Sequence, residues 1–127
     1  SIRTPLSASR GLGSARSGTH HWWAQRLTAL ALIPLTVWFV VIVVAGTGGS
    51  YEQAVAMIGN PVNAVLLVLL LGATFHHGQL GLQVVIEDYV AHEAAKIALL
   101  LAMKAAALVF GLAAIFAVLS IAFGGGA

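Results

Sequence analysis

The chain has 127 residues, of which 60% are hydrophobic and 8% are charged, with six basic and four acidic side chains. A water-soluble domain of this length needs a polar surface that so few charged residues do not provide, so the composition indicates an integral membrane protein and makes nucleic-acid binding implausible. The chain has no cysteine, which excludes disulfides, Cys-ligated iron–sulfur clusters and thioether-attached haem within it.

Three apolar stretches are predicted to be membrane-spanning helices, at about 25–45, 62–86 and 96–123. About 20 helical residues cross a hydrocarbon core of ~30 Å, and backbone groups in lipid must be hydrogen-bonded within their own segment, which favours helices over strands. The fold class is therefore predicted to be all-α, with an N-terminal segment at 1–23 and a single three-helix domain at 24–127. No signal peptide is expected, because the first 19 residues are polar and the first apolar stretch has full spanning length.

The distribution of basic residues predicts the orientation. Arg3, Arg10, Arg16 and Arg26 precede or open the first predicted helix, whereas the loop near 46–60 has neither lysine nor arginine. By the positive-inside rule the N-terminus is predicted to be cytoplasmic and the C-terminus to lie on the outer, periplasmic side.

Two adjacent histidines, His76 and His77, lie within the second predicted helix. An ionisable residue inside a span is a functional hypothesis by default, because an unpaired charge there costs at least ~2.5–3.5 kcal/mol. Neutral imidazole costs less and is a good ligand for iron. The alternative is that both histidines only hydrogen-bond to neighbouring helices or to a trapped water.

Helical geometry places His77, Gly81 and Asp88 on one face of the second helix. His77 and Asp88 are eleven positions apart, which is ~16 Å along the axis at 1.5 Å per residue, and Tyr89 lies beside the end of this stripe. A glycine one turn from a ligand leaves room for a flat macrocycle or a close helix. The alternative for Asp88 and Tyr89 is an ordinary helix end at the membrane surface.

Arg26 lies at the edge of the first predicted helix, at a depth where a carboxylate can pair with it. Snorkelling of its guanidinium to lipid phosphates is the alternative. His20 and His21 are interpreted on composition alone as surface residues, and Lys104 in the third helix is assigned no chemistry.

The segment from His77 to Val90 reads HGQLGLQVVIEDYV, with Asp-Tyr-Val at positions eleven to thirteen after the histidine. An H-x5-R pattern from His20 to Arg26 enters the first helix. Together these features resemble the small hydrophobic membrane-anchor subunit of succinate dehydrogenase (respiratory complex II), of the alphaproteobacterial type. The resemblance covers nearly the whole chain, about 11–123.

The resemblance implies a role for each matching residue. His77 would be one axial ligand of a b-type haem, whose other ligand comes from a second membrane-anchor subunit. Arg26 would neutralise a haem propionate, with His20 near it. Tyr89 would hydrogen-bond a ubiquinone carbonyl, and Asp88 would support that site and its proton supply. The choice of His77 over His76 rests on the spacing to Asp-Tyr.

The resemblance also implies an assembly. The chain would be a multi-pass protein of the bacterial inner membrane, surrounded by lipid and not catalytic alone. It would anchor an iron–sulfur subunit and a flavoprotein subunit that serve the tricarboxylic acid cycle and aerobic electron transport. Whether the full complex is a trimer is left open. The alternative functions are the anchor of a quinol:fumarate reductase, and a non-redox scaffold or assembly subunit.

Overall fold

The computed structural model describes residues 12–124, with side chains from residue 18 onward. Within this range the chain forms four α-helices and no β-strand: α1 (Leu12–Ala45), α2 (Tyr51–Gly59), α3 (Pro61–Tyr89) and α4 (Glu93–Ala122). The Gly18–Ala45 part of α1, all of α3 and all of α4 are each long and apolar enough to cross a membrane. The predicted all-α class with three spanning helices is confirmed.

The helices are longer than the apolar stretches that predicted them. Hydrophobicity marks only the part of a helix that lies in lipid, whereas the backbone hydrogen bonding continues into the polar region. The largest difference is at α1, which begins at Leu12 instead of residue 25. Of the predicted N-terminal segment, residues 12–23 therefore continue α1, and residues 1–11 lie outside the described part of the chain.

The connection at 46–60 contains the short helix α2, which the hydropathy pattern does not predict. Ser50 and Gln53 form a capping box: the Gln53 backbone N–H donates to the Ser50 hydroxyl at 3.1 Å, and the Ser50 backbone N–H donates to Gln53 Oε1 at 2.9 Å. This pairing satisfies backbone donors that the first turn of a helix otherwise leaves free. The sequence Ser-Tyr-Glu-Gln carries this signal, although hydropathy does not reveal it.

One residue separates α2 from α3. Asn60 ends α2, and its side-chain oxygen accepts from the backbone N–H of Val62 at 3.0 Å and of Asn63 at 3.2 Å. Pro61 occupies the first position of α3, where its missing N–H costs nothing. The start of the helix that carries His76 and His77 is thus set by local sequence.

The helix α3 is the centre of the structure. It packs against α1 on one side and α4 on the other, and among the described residues α1 and α4 do not contact each other. Among the described residues the buried hydrophobic side chains all belong to α3: Ala64, Leu67, Leu70 and Leu80. The buried glycine Gly111 belongs to α4. Side chains on α3 therefore face α1, α4, the short helix α2 near the start of α3, or an open face.

Gly111 of α4 packs tightly against the side chain of Phe75 of α3. A Cβ atom added at Gly111 would lie 3.3 Å from Phe75 Cγ, so a larger side chain must push the two helices apart. Gly111→Leu is expected to destabilise the chain by about 1–3 kcal/mol. The thermal unfolding midpoint of the detergent-purified protein should fall by several degrees.

The matched control is Gly72→Leu. Gly72 lies on α3, and a Cβ added there meets no atom within 4 Å. Equal loss of thermal stability in both variants would show that a general effect of adding leucine, and not the contact with Phe75, explains the Gly111 effect.

Candidate functional site

The two adjacent histidines of α3 face different neighbours. The helix is uninterrupted from Pro61 to Tyr89, so successive side chains project ~100° apart. His77 is half-buried and faces α1, whereas His76 is exposed and lines a groove between α3 and α4. The two histidines therefore cannot be treated as one polar site.

His77 is held by a hydrogen bond to α1. Its Nδ1 lies 3.1 Å from Thr28 Oγ1, and the Thr28 hydroxyl donates to the Ala24 carbonyl at 2.7 Å. A hydroxyl has one hydrogen to give. With that hydrogen on the carbonyl, the Thr28 oxygen can accept at His77 only from the tautomer that carries its proton on Nδ1; in the other tautomer the hydroxyl donates to Nδ1 instead. In the first tautomer Nε2 is the nitrogen that is free to bind a ligand, and no hydrogen bond to Nε2 is found among residues 18–124.

Gly81 lies one turn beyond His77 and also faces α1. A Cβ added at Gly81 would lie 3.9 Å from Gln25 Nε2, an ordinary van der Waals distance. Both uses predicted for this glycine, room for a flat macrocycle and room for a close helix, therefore stay predictions.

A polar seam runs along the α1 face that meets α3, formed by His21, Gln25 and Thr28. These residues are four and three positions apart, which places them on one side of a helix. His21 Nε2 and Gln25 Oε1 are buried and have no hydrogen-bond partner among the described residues. Buried polar atoms are normally satisfied, so this seam has capacity for a further hydrogen-bonding group. His20 is exposed, whereas His21, which is interpreted on composition as a surface residue, is half-buried and its Nε2 is covered.

Arg26 is exposed, and its guanidinium carbon lies 4.9 Å from the centre of a Trp22 ring. Such a cation–π contact stabilises a cation by ~0.5–1 kcal/mol at an exposed site. Trp22 packs edge-to-face with Trp23, with ring centres 4.9 Å apart. Arg26 thus packs against aromatic rings at the end of the bundle that holds the N-terminal part of α1 and the C-terminus of α3.

Asp88 and Tyr89 are the last two residues of α3. Both are exposed, and Tyr89 has 83% of its surface accessible. Twelve residues separate Tyr89 from His77, which is ~18 Å along the helix axis. The imidazole of His77 and the phenol of Tyr89 therefore lie at different levels of α3, and the Tyr89 hydroxyl is exposed.

His76 belongs to a second polar group on the α4 side. Its Nδ1 lies 3.3 Å from Gln79 Nε2, at a cavity of about 400 Å³ between α3 and α4. Lys104 donates to Gln83 Oε1 at 3.2 Å, and Gln83 donates to Glu87 at 3.0 Å. Lys104, for which the sequence predicts no chemistry, is exposed and has a polar partner on α3.

The last histidine of the chain has a structural role. His92 Nδ1 accepts from the backbone N–H of Ala95 at 3.2 Å and so caps α4. This leaves His20, His21, His76 and His77 as candidates for ligand binding.

The residues around His77 fit one side of a haem. Among the described residues no three His, Cys, Asp or Glu side chains lie close enough to hold a metal ion together. A single imidazole whose Nδ1 is hydrogen-bonded within the protein, and whose Nε2 is left for a ligand, would suit an iron that is otherwise held by a porphyrin. The roles of Thr28 and Gln25 are not visible in the sequence, which gives no sign of which α1 face meets α3.

Known proteins that are similar to this chain in sequence are membrane subunits. Residues 1–121 match the family described as succinate dehydrogenase/fumarate reductase transmembrane subunit. The chain is 31% identical over 103 residues to the succinate dehydrogenase hydrophobic membrane anchor subunit of Rickettsia bellii, covering 81% of this chain and 82% of the relative. It is 40% identical over 86 residues to the protein of the same name from Paracoccus denitrificans, covering 68% and 67%.

Proposed function

Because the chain belongs to the succinate dehydrogenase/fumarate reductase transmembrane subunit family, we propose that it is the hydrophobic anchor subunit of a succinate:ubiquinone oxidoreductase in the bacterial inner membrane. The observation that carries this proposal is the family match over residues 1–121. The two relatives described above are both named as succinate dehydrogenase anchors, which favours succinate oxidation over fumarate reduction. The chain is a multi-pass membrane protein and is not catalytic alone.

The partners in this proposal are a second membrane-anchor subunit, an iron–sulfur subunit and a flavoprotein subunit. The three spanning helices bury few side chains within this chain, and large apolar residues such as Leu30, Val37 and Phe116 are more than half exposed. Lipid and a second anchor are the partners that suit such surfaces. The soluble subunits would dock at the end of the bundle that holds the N-terminal part of α1, near Arg26.

His77 is proposed as one axial ligand of a b-type haem shared with the second anchor. The hydrogen bond from its Nδ1 to Thr28 supports this role, since haem and metal-binding histidines typically donate their second ring N–H to a fixed acceptor. When bound, the haem supplies one-electron redox chemistry within the membrane. Arg26, with His20 near it, would neutralise a propionate at the entry of α1.

Tyr89 and Asp88 are proposed to serve the ubiquinone-reduction site. A phenol hydroxyl donates one hydrogen bond, which suits a quinone carbonyl, and the exposed position of Tyr89 at the end of α3 supports a contact with a ligand shared between subunits. Asp88 beside it would hold and pass protons from the aqueous phase.

Copurification tests the proposed assembly. The chain, carrying an affinity tag, should be purified from its native membrane in mild detergent. Flavin, iron–sulfur clusters and b-type haem are expected in near-equal amounts with the chain, together with succinate-dependent quinone reduction. A preparation that contains the chain but no flavin and no haem would overturn the proposal in favour of a non-redox scaffold.

A further inference from the structure

We propose that Thr28 is a positioning residue for His77. Its hydroxyl accepts the Nδ1–H of the imidazole, which fixes the ring tautomer and leaves Nε2 as the iron-binding atom. This inference rests on the proposed function, because it concerns the ligand that the function requires.

The Thr28 oxygen is itself held in place. The hydroxyl donates to the Ala24 carbonyl at 2.7 Å and lies 3.1 Å from the Gln25 carbonyl. Threonine is β-branched and therefore stiff at χ1. Little conformational entropy of this side chain is therefore lost when His77 binds a ligand. The acceptor lone pairs of Thr28 consequently point away from its own helix and meet His77 of α3.

The contact is also sheltered. Thr28 and His77 are both half-buried, between two helices that are apolar around most of their circumference. In a medium of low dielectric constant a hydrogen bond is electrostatically stronger than in water. The bond joins residues 49 positions apart in the chain, so it also fixes how α1 and α3 are placed relative to each other.

The hydrogen bond has a predictable effect on an iron bound at Nε2. An acceptor at Nδ1 draws the proton outward and makes the imidazole a more basic ligand. A more basic ligand stabilises ferric iron more than ferrous iron, and so lowers the midpoint potential. A threonine that only filled space would have no such effect.

Two substitutions separate the hydroxyl from the volume of the side chain. Thr28→Val keeps the β-branched shape and removes the acceptor, whereas Thr28→Ser keeps the hydroxyl and removes a methyl group. Thr36→Val is the matched control, since Thr36 is an exposed residue two turns further along the same helix.

The readouts are the midpoint potential of the haem and the electron paramagnetic resonance spectrum of its ferric form, both in the purified complex. Thr28→Val is expected to raise the potential; a tenfold change in the relative affinity of the two oxidation states corresponds to about 59 mV for one electron. Its ferric g values should shift as well. Thr28→Ser and Thr36→Val should match the unsubstituted complex. Loss of haem in Thr28→Val with retention in Thr28→Ser would support the proposal equally.

Unchanged potential and g values in a haem-bearing Thr28→Val complex would overturn the inference, as would a Thr28→Ser variant that behaves like Thr28→Val. A parallel His77→Leu complex distinguishes this failure from failure of the proposed function. If His77→Leu loses its haem while Thr28→Val is unaffected, only the positioning role is wrong. If His77→Leu keeps an unaltered haem, the ligand assignment itself is wrong.

Discussion

Replacing His77 with leucine is expected to reduce the haem content of the assembled complex at least about tenfold, whereas His76→Leu leaves it unchanged. Loss of a partner that merely orients a metal ligand typically costs 10–100-fold in affinity, and loss of the ligand itself should cost no less. His76 differs because it faces the groove toward α4 and contacts Gln79. The measurement is the ratio of b-type haem to flavin in each purified complex.

The flavin in that ratio is the control for assembly, because it counts complexes in which the soluble subunits are still attached. A His76→Leu complex that loses haem while His77→Leu retains it would reverse the assignment of the two neighbours. Equal loss of haem and flavin in the His77 variant would indicate that the substitution prevents assembly. The His77→Met variant, whose side chain can itself ligate iron, would then be used to recover a measurable complex.

The second large effect is expected for Tyr89→Phe. Removing the hydroxyl takes a hydrogen-bond donor from the proposed quinone site, which costs about 1–3 kcal/mol if the carbonyl is left unpaired, or roughly a factor of 5 to 160 at 1.36 kcal/mol per tenfold. Succinate-dependent ubiquinone reduction should fall by that factor. Succinate oxidation with an artificial acceptor that takes electrons before the membrane should stay intact.

Tyr51→Phe is the matched control for Tyr89→Phe. Tyr51 opens α2 at the opposite end of the bundle and is 75% exposed, so its hydroxyl should matter for neither activity. If Tyr89→Phe lowers both activities equally, the residue supports assembly, and its assignment to the quinone site is contradicted.

Much of this architecture could be predicted from the sequence, because the membrane makes hydrophobicity a strong signal. The three spanning helices follow from stretches of about twenty apolar residues. The predicted distance along the helix axis between His77 and Asp88 holds because α3 is one regular helix. The short helix α2 could not be predicted from hydropathy, because its nine residues do not form a long apolar stretch. Its signal is the local capping pair Ser50 and Gln53, which leaves no mark on the hydropathy pattern.

The partners of the functional side chains could not be predicted in the same way. The helix α1 is apolar almost all round, so no amphipathic stripe shows which face meets α3. Only packing reveals that Thr28 contacts His77 and that Gln25 lies near Gly81. Similarly, the resemblance to a known family selected His77 by its spacing to Asp-Tyr, whereas the structure adds a physical difference between the two histidines.

The ligand assignment is tested most directly by chemical rescue of a His77→Gly complex. Glycine removes the imidazole and leaves a space that free imidazole can occupy. The reduced-minus-oxidised absorption spectrum should lose the native b-type band, and the band should return in a saturable manner as imidazole is added in the presence of haem. His76→Gly should keep the band throughout and show no response. A His77→Gly complex with an unaltered b-type band before any imidazole is added would contradict the claim that this chain ligates the haem through His77.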